Sequence, residues 1–180
     1  MLAQGKLAHQ TLVSTVMSNA GLEAAFKRAG GKVVRTSVGD KNVIDEMLKH
    51  GYTLGGEQSG HLIFAEHATT GDGVVAALQI LRIMKTKGLP LSKLRTCWTP
   101  YPQLVTNVKV REKTPFDQLK GVLELVSQAE VSLAVEGGRV LLRYSGTEPK
   151  ARLLLEGRDP ETLRQWSRKI CDAIQRQVGA

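Results

Sequence analysis

A proline-containing stretch without periodicity divides the 180-residue chain into two halves with different patterns. The stretch runs from position 91 to 103 and contains Pro100 and Pro102, and neither a helical period nor a strand alternation passes through it. Segments of this kind commonly join domains. The sequence therefore predicts one domain over residues 1–94, a linker over residues 95–103 and a second domain over residues 104–180.

The first half alternates predicted strands and helices. Strands are predicted at 12–17, at 32–38 and within 52–64, and helices at 19–27, 40–49 and 73–87. This alternation predicts an α/β domain, a mixed sheet with flanking helices. The helix at 73–87 is apolar on almost every side, so we expect it to pack deep in the domain.

The second half predicts a smaller α+β domain. A strand at 104–110 is followed by a helix that Thr114-Pro115 opens, with Asp117 completing a capping box. Residues 131–144 are predicted to form a hairpin around Gly137-Gly138. A further strand, KARLLLEG at 150–157, and a helix at 160–178 follow. We therefore expect an antiparallel sheet with two helices on one face.

A loop rich in anion-binding groups lies between the last two predicted strands. Its sequence is RYSGTEP at 143–149, and Arg152 follows. Guanidinium groups match phosphate oxygens two at a time, and Ser145, Thr147 and the Gly146 amide supply further donors. The pattern is typical of a phosphate cradle, but it also fits a β-turn with surface arginines, because Ser, Gly and Thr are ordinary turn residues.

A second polar motif, GGEQSGH, occupies positions 55–61. On an extended backbone Glu57, Ser59 and His61 point to the same side, and the flanking glycines allow a ligand to approach. A carboxylate, a hydroxyl and an imidazole together suit vicinal sugar hydroxyls. The alternative is a glycine-rich strand end with polar side chains in solvent.

Together the two motifs resemble the α-D-phosphohexomutase family. TTGDGVVAALQ at 69–79 and VMSNAGLEAAF at 16–26 extend the resemblance over essentially the whole chain. The resemblance implies that Glu57 and Ser59 contact sugar hydroxyls in that family's third domain. It also implies that a phosphate that is not reacting is bound in the fourth domain by a set of five residues: Arg143, Ser145, Gly146, Thr147 and Arg152.

Two further positions allow two interpretations each. His61 either contacts the substrate or anchors its own loop through a backbone carbonyl. Lys41, in the GDKNV segment, either reaches a phosphate as a point charge or is a solvated lysine at a helix start. The family typically shows arginine there, in a GDRYV-like pattern.

The parts of the family pattern that carry chemistry are missing from these 180 residues. The resemblance implies a phosphoserine in a first domain and an Asp-rich, Mg²⁺-binding loop in a second, and neither pattern occurs here. Ser14 and Ser18 lack a basic partner in sequence, and Gly71-Asp72-Gly73 offers one carboxylate. We therefore expect no catalytic residue and no metal ligand in this chain.

The resemblance implies the substrate-binding half of an isomerase that moves a phosphoryl group between two positions of glucosamine phosphate through a bisphosphate. Members of the family that act on glucose or mannose phosphate more often show GEMSGH and SNTEP, so the resemblance, through Gln58 and Gly146, implies glucosamine phosphate as the substrate. Such a half would need its N-terminal domains and their Mg²⁺, and it would be inactive alone. It would form a homodimer if two copies buried the apolar face that the N-terminal domains otherwise cover. The alternatives are a glucose- or mannose-phosphate mutase fragment and a stand-alone sugar-phosphate-binding module.

The net charge of +8 does not indicate a nucleic-acid partner. Residues 1–94 carry eleven basic and seven acidic residues and residues 95–180 fourteen and ten, so the charge is evenly spread, and aromatic residues for base stacking are few. An even basic balance also suits anionic sugar phosphates. No run of eighteen apolar residues predicts a membrane span, and two distant cysteines, Cys97 and Cys171, favour reduced thiols in the cytoplasm.

Overall fold

The computed structural model describes all residues from 1 to 180, and they divide into two compact units, Met1–Pro100 and Tyr101–Ala180. The first unit contains β1 (Thr11–Thr15), α1 (Ala20–Arg28), β2 (Lys32–Thr36), α2 (Asp40–His50), β3 (Leu54–Gly56), β4 (Leu62–Phe64), α3 (Gly73–Lys87) and α4 (Leu91–Leu94). The second contains β5 (Gln103–Lys109), α5 (Val122–Ala134), β6 (Arg139–Tyr144), β7 (Lys150–Glu156) and α6 (Pro160–Val178). None of these helices has both the length and the hydropathy that crossing a bilayer requires.

The sheet of the first unit is mixed, in the order β2-β1-β3-β4. β1 pairs in parallel with β2 on one side and β3 on the other, and β4 returns antiparallel to β3. A small core of Val13, Val43, Met47 and Ile63 packs α2 onto one face of the sheet. The mixed sheet with flanking helices that the sequence predicted is confirmed.

The predicted helix ends follow from local chemistry. The Asn19 side chain accepts a hydrogen bond from the Gly21 amide at the start of α1, and Asp72 accepts from two amides at the start of α3. Gly51 ends α2 with a φ of 68°, a left-handed conformation that a side chain disfavours.

The prediction that α3 packs deep in its domain is wrong. Only Ala76 of this helix is buried, while Val74, Leu78 and Leu81 are each more than half exposed. α3 lies beside the three-residue strand β4, and that short edge strand can cover only one side of a fifteen-residue helix. Apolar composition on every side of a helix therefore did not lead to burial here.

The second unit has a three-stranded antiparallel sheet in the order β5-β7-β6. Its core contains side chains from one face of the sheet and from both long helices; the fully buried members include Val122, Leu155, Ile170 and Ile174. The α+β architecture with two helices on one face is confirmed.

Two details of the second-half prediction are wrong. Residues 131–134 belong to α5 rather than to a hairpin strand, because the helical spacing of Val122, Val126, Ala129 and Leu133 continues through them on the core side. Thr114-Pro115 opens only a 3₁₀ turn at Phe116–Gln118, and α5 begins after Gly121, without a capping side chain.

Candidate functional site

The first candidate loop lies at the carboxyl edge of the mixed sheet. Because β1 is followed in the chain by β2 on one side and later by β3 on the other, the strand order reverses at β1. Ligands of α/β sheets bind outside the carboxyl ends of the strands at such a reversal. Glu57, directly after β3, and Gly39, between β2 and α2, both lie there.

Glu57 is fixed at this edge by three hydrogen bonds. Its Oε2 accepts from the Gly39 amide at 3.2 Å, its amide donates to the His61 carbonyl at 2.9 Å, and its carbonyl accepts from the Gly60 amide at 3.1 Å. The side chain is 11% exposed. The carboxylate is therefore held beside the start of α2, where the helix dipole favours negative charge.

The GGEQSGH motif at 55–61 forms a tight turn. The prediction that its side chains point to one side assumed an extended backbone, and that assumption is wrong. β3 ends at Gly56, and the chain reverses through Gly60, whose φ is 98°. The three polar side chains still converge: Ser59 Oγ lies 3.0 Å from His61 Nδ1, and Glu57 Oε1 lies 4.0 Å from the same nitrogen. The turn brings together a carboxylate, a hydroxyl and an imidazole, by a geometry that side-chain periodicity did not describe.

Lys41 lies in the first turn of α2, close in sequence to Gly39. Its amide donates to Asp40 Oδ1 at 2.8 Å, and the residue is exposed. Both interpretations of Lys41 stay predictions. His61, 57% exposed in its side chain, contacts Ser59 and Glu57, so its Nδ1 faces side-chain oxygens.

The second candidate loop closes the β6–β7 hairpin in the other unit. Arg143 and Arg152 are directly opposed cross-strand partners on the face of the sheet away from the helices. Like charges in opposed positions destabilise a sheet. The Nε of Arg152 is also shielded from solvent without a hydrogen-bond partner. An anion bound between the two guanidinium groups would relieve the repulsion between them.

One carboxylate lies among the cations of this loop. Glu148 contacts Lys150 Nζ at 2.6 Å and Arg152 at 2.5 Å. The hydrogen bond from Lys150, and then that from Arg152, hold the pKa of Glu148 below its usual value. Two arginines and a lysine against one carboxylate leave the loop with excess positive charge.

The backbone of the loop offers two amides to a ligand. Ser145 donates its amide to the Lys150 carbonyl at 2.9 Å, whereas the amides of Gly146 and Thr147 make no hydrogen bond within the protein. A Cβ on Gly146 would meet no atom within 4 Å, so the loop is open on that side. Ser145 itself is only 4% exposed, and its Oγ lies 3.4 Å from the Glu148 amide, within the loop.

Sequence reasoning missed three residues of this loop region: Lys113, Glu148 and Lys150. Lys113 Nζ donates to the Ser145 carbonyl at 2.6 Å, although it lies 32 positions away in the chain. The register of β5 against β7 explains this, because Lys109 faces Lys150 and the chain after β5 runs past the loop. Only the strand pairing would have revealed it.

Metal-ligating side chains and buried hydroxyls are the remaining groups that could carry chemistry. No group of three or more His, Cys, Asp or Glu side chains is placed to hold a metal ion. Ser14 and Ser18 are buried, and their hydroxyls lie 2.5 Å apart, so each oxygen faces the other. The residues present fit a phosphate and a polyol, and they do not fit a magnesium site.

The fold of the two units is that of phosphohexomutase domains. N-acetylphosphoglucosamine mutase from Aspergillus fumigatus superposes with a TM-score of 0.78 at 18% identity, over 97% of this chain and 39% of that one. A phosphoglucomutase/phosphomannomutase family protein from Burkholderia thailandensis superposes with a TM-score of 0.68 at 18% identity, over 94% and 39%. At this identity the likeness establishes the fold alone.

Sequence comparison identifies the family. Residues 1–101 match the model of phosphoglucomutase/phosphomannomutase alpha/beta/alpha domain III, and residues 105–173 match that of the C-terminal domain. The chain therefore belongs to the phosphoglucomutase/phosphomannomutase family. Phosphoglucosamine mutases of Geobacter metallireducens and Anaeromyxobacter dehalogenans are 50% and 51% identical over 99% of this chain. The chain spans 40% and 39% of their lengths.

Proposed function

We propose that this chain is the substrate-binding part of a phosphoglucosamine mutase, an isomerase that interconverts glucosamine 6-phosphate and glucosamine 1-phosphate. The observation that carries the proposal is the opposed Arg143–Arg152 pair at a loop with open amides and an excess of positive charge, which a bound anion would balance. The roughly 50% identity to phosphoglucosamine mutases favours glucosamine phosphate as the substrate. Glucose and mannose phosphates are the second candidates, because the matching family models are those of phosphoglucomutases and phosphomannomutases.

In this proposal the two loops divide the substrate between them. Arg143 and Arg152 bind the phosphate that is not reacting through charge-assisted hydrogen bonds, and the amides of Gly146 and Thr147, with the Thr147 hydroxyl, add donors. Ser145 shapes the loop.

Glu57 and Ser59 bind sugar hydroxyls, which remain available when the sugar turns over between its two phosphorylated forms. Such binding positions the substrate for phosphoryl transfer. His61 and Lys41 are proposed as further contacts at the same edge.

Phosphoryl transfer needs groups that these 180 residues do not provide. The proposal assigns the phosphoserine and the Mg²⁺ ligands to N-terminal domains of the longer protein, since the curated relatives are about two and a half times as long. The Aspergillus N-acetylphosphoglucosamine mutase has been solved with GlcNAc-6P and magnesium. We expect this chain alone to bind ligand without turnover, and we propose a cytoplasmic enzyme and a homodimer.

An NMR titration tests the proposal. The labelled chain is titrated with inorganic phosphate and separately with glucosamine 6-phosphate, alongside Arg143→Ala and the control Arg176→Ala on the exposed side of α6. We expect saturable shifts at residues 143–152 with both ligands, lost in Arg143→Ala and kept in Arg176→Ala. Additional shifts at residues 57–61 should occur only with the sugar phosphate.

Two results would contradict the proposal. Shifts that survive in Arg143→Ala would place the anion elsewhere. If neither loop responds at millimolar ligand, the chain is mixed with a catalytic half from a relative and mutase turnover is measured. Restored turnover would support the proposed function, and no turnover would contradict it.

A further inference from the structure

The segment after β5 contacts the RYSGTEP loop at residues 143–149, named the phosphate loop below, from the side. Lys113 Nζ donates to the Ser145 carbonyl at 2.6 Å and to the Gly146 carbonyl at 3.3 Å. One residue further, the Thr114 carbonyl accepts from the Tyr144 hydroxyl at 2.6 Å. The ring of Phe116 stacks on Tyr144, with centroids 4.2 Å apart and planes 8° from parallel. Lys113 is thus held beside the loop by its neighbours.

The direction of the two carbonyls determines the direction of two amides. In a trans peptide the C=O and the following N–H point to opposite sides of the bond. Because Lys113 draws the carbonyls of Ser145 and Gly146 toward itself, the amides of Gly146 and Thr147 point away from it. These are the two amides of the loop without a partner in the protein. Successive N–H groups with this orientation form a concave anion-binding nest.

We propose that Lys113 is a positioning residue of the phosphate site: its ammonium group fixes two peptide planes so that the Gly146 and Thr147 amides face the phosphate. The inference rests on the proposed function, and it adds a residue from outside the RYSGTEP motif. The competing explanation is a solvated lysine that only raises the local positive potential. Only the first explanation predicts that replacing Lys113 changes the orientation of the Gly146 and Thr147 amides.

The test compares Lys113→Met with Lys120→Met, which removes an exposed lysine of the same unit whose side chain makes no hydrogen bond or ion pair. The ¹⁵N-labelled 180-residue chain is titrated with inorganic phosphate. We expect Lys113→Met to weaken phosphate binding about tenfold, the size of a lost charged hydrogen bond. At saturation the shift changes of the Gly146 and Thr147 amides should fall to less than half of their wild-type size. Lys120→Met should change neither the phosphate affinity nor the amide shift changes. Lys113→Arg should keep most of the affinity and of the shift changes, because it keeps the charge and the hydrogen-bond donors.

Three results would overturn the inference. Lys113→Met could bind phosphate as tightly as Lys120→Met does. It could bind more weakly but show wild-type amide shifts at saturation, which would make Lys113 a source of charge only. Lys113→Arg could also behave like Lys113→Met. If Lys113→Met does not fold, as circular dichroism would reveal, Lys113→Gln takes its place under the same criteria.

The proposed function fails separately. If the wild-type chain does not bind phosphate at the 143–152 loop, both proposals fall. If the wild type binds and Lys113→Met binds equally well, only the role of Lys113 is lost.

Discussion

Glu148 is the residue whose ionisation depends most directly on the phosphate loop. Its pKa is lowered first by the hydrogen bond from Lys150 and then by that from Arg152. Removing either donor should therefore raise the Glu148 pKa toward its ordinary value, and Lys150→Met should raise it more than Arg152→Met. Carbon-detected NMR of the side-chain carboxyl group across a pH series measures this directly.

The sign of the pH dependence follows from the same contacts. Because the folded-state pKa of Glu148 lies below the unfolded one, its contribution to stability is present above the unfolded pKa and disappears as the pH falls through the folded value. Lys109→Met is a suitable control, because Lys109 pairs with Lys150 across the sheet but does not touch Glu148. Equal Glu148 titration curves in all variants would show that these contacts do not form in solution.

At the scale of elements, a buried ion pair joins the three strands of the second sheet. Glu156 of β7 has no solvent exposure, and it accepts hydrogen bonds from Arg139 of β6 and Gln103 of β5. Arg139→Met would remove the cation that faces this buried carboxylate. We expect it to lower the free energy of unfolding by about 3 kcal/mol, near the low end of the range for a broken buried pair because the Arg139 side chain is 21% exposed.

Urea unfolding followed by Trp166 fluorescence, in a Trp98→Phe background, measures this change in the second unit. The double variant Arg139→Met/Glu156→Met should recover most of the loss, since apolar side chains of similar volume can replace a buried pair. A double variant as unstable as the sum of its single variants would show that the pair is not coupled.

The success of the sequence-based prediction differed between kinds of element. Helices with a capping side chain and a terminal glycine were placed within a residue or two, as α3 shows between Asp72 and Gly88. The error at residues 131–136 arose because Val131, Leu133 and Val135 alternate like a strand, whereas the structure exposes Val131 and Val135 and buries only Leu133, on the helical spacing of α5. The segment fits both a strand-like alternation and a helical period. The helix forms because the helical spacing places its apolar residues in the core of the second unit.

The loops show the same limit. Arg143, Gly146 and Arg152 were proposed from local composition, because turn residues and arginines occur within one short segment. Lys113 was not, since its contact depends on the pairing of β5 with β7 and no local pattern encodes that register. Exposure of α3 was unpredictable for a related reason: burial depends on what lies opposite a helix, and sequence periodicity describes only the helix itself.

At the scale of the whole molecule, the complete phosphate loop and its supporting segment lie within Tyr101–Ala180, a unit with its own core. We therefore expect residues 101–180, expressed alone, to fold and to bind inorganic phosphate within about twofold of the full chain, since sites without shared contacts behave independently. Calorimetric or NMR titration of the shortened chain provides the comparison, with its Arg143→Ala variant as the control. A loss of more than about tenfold would mean that residues 1–100 contribute to the phosphate site.

The first unit carries an apolar surface that the chain does not cover. Val74, Leu78 and Leu81 form an exposed stripe along α3 at helical spacing. A cavity of about 1000 Å³ lies on the sheet face opposite α2, lined mainly by apolar side chains that include Leu12, Phe26, Leu62, Phe64 and Trp98. Exposed apolar surface of this kind favours association.

We expect a second copy of the chain to bury this stripe. Sedimentation-velocity ultracentrifugation over a concentration series should show a mass that rises above that of the monomer, and Leu78→Lys/Leu81→Lys should weaken association at least about tenfold, because each buried leucine contributes roughly 1.5–3 kcal/mol. Leu48→Lys is the matched control: this leucine is 73% exposed on α2 of the same unit but lies outside both the stripe and the cavity, so its replacement should leave association unchanged. A monomeric mass at the highest concentration, or equal weakening by both substitutions, would show that the α3 stripe does not mediate association of this chain.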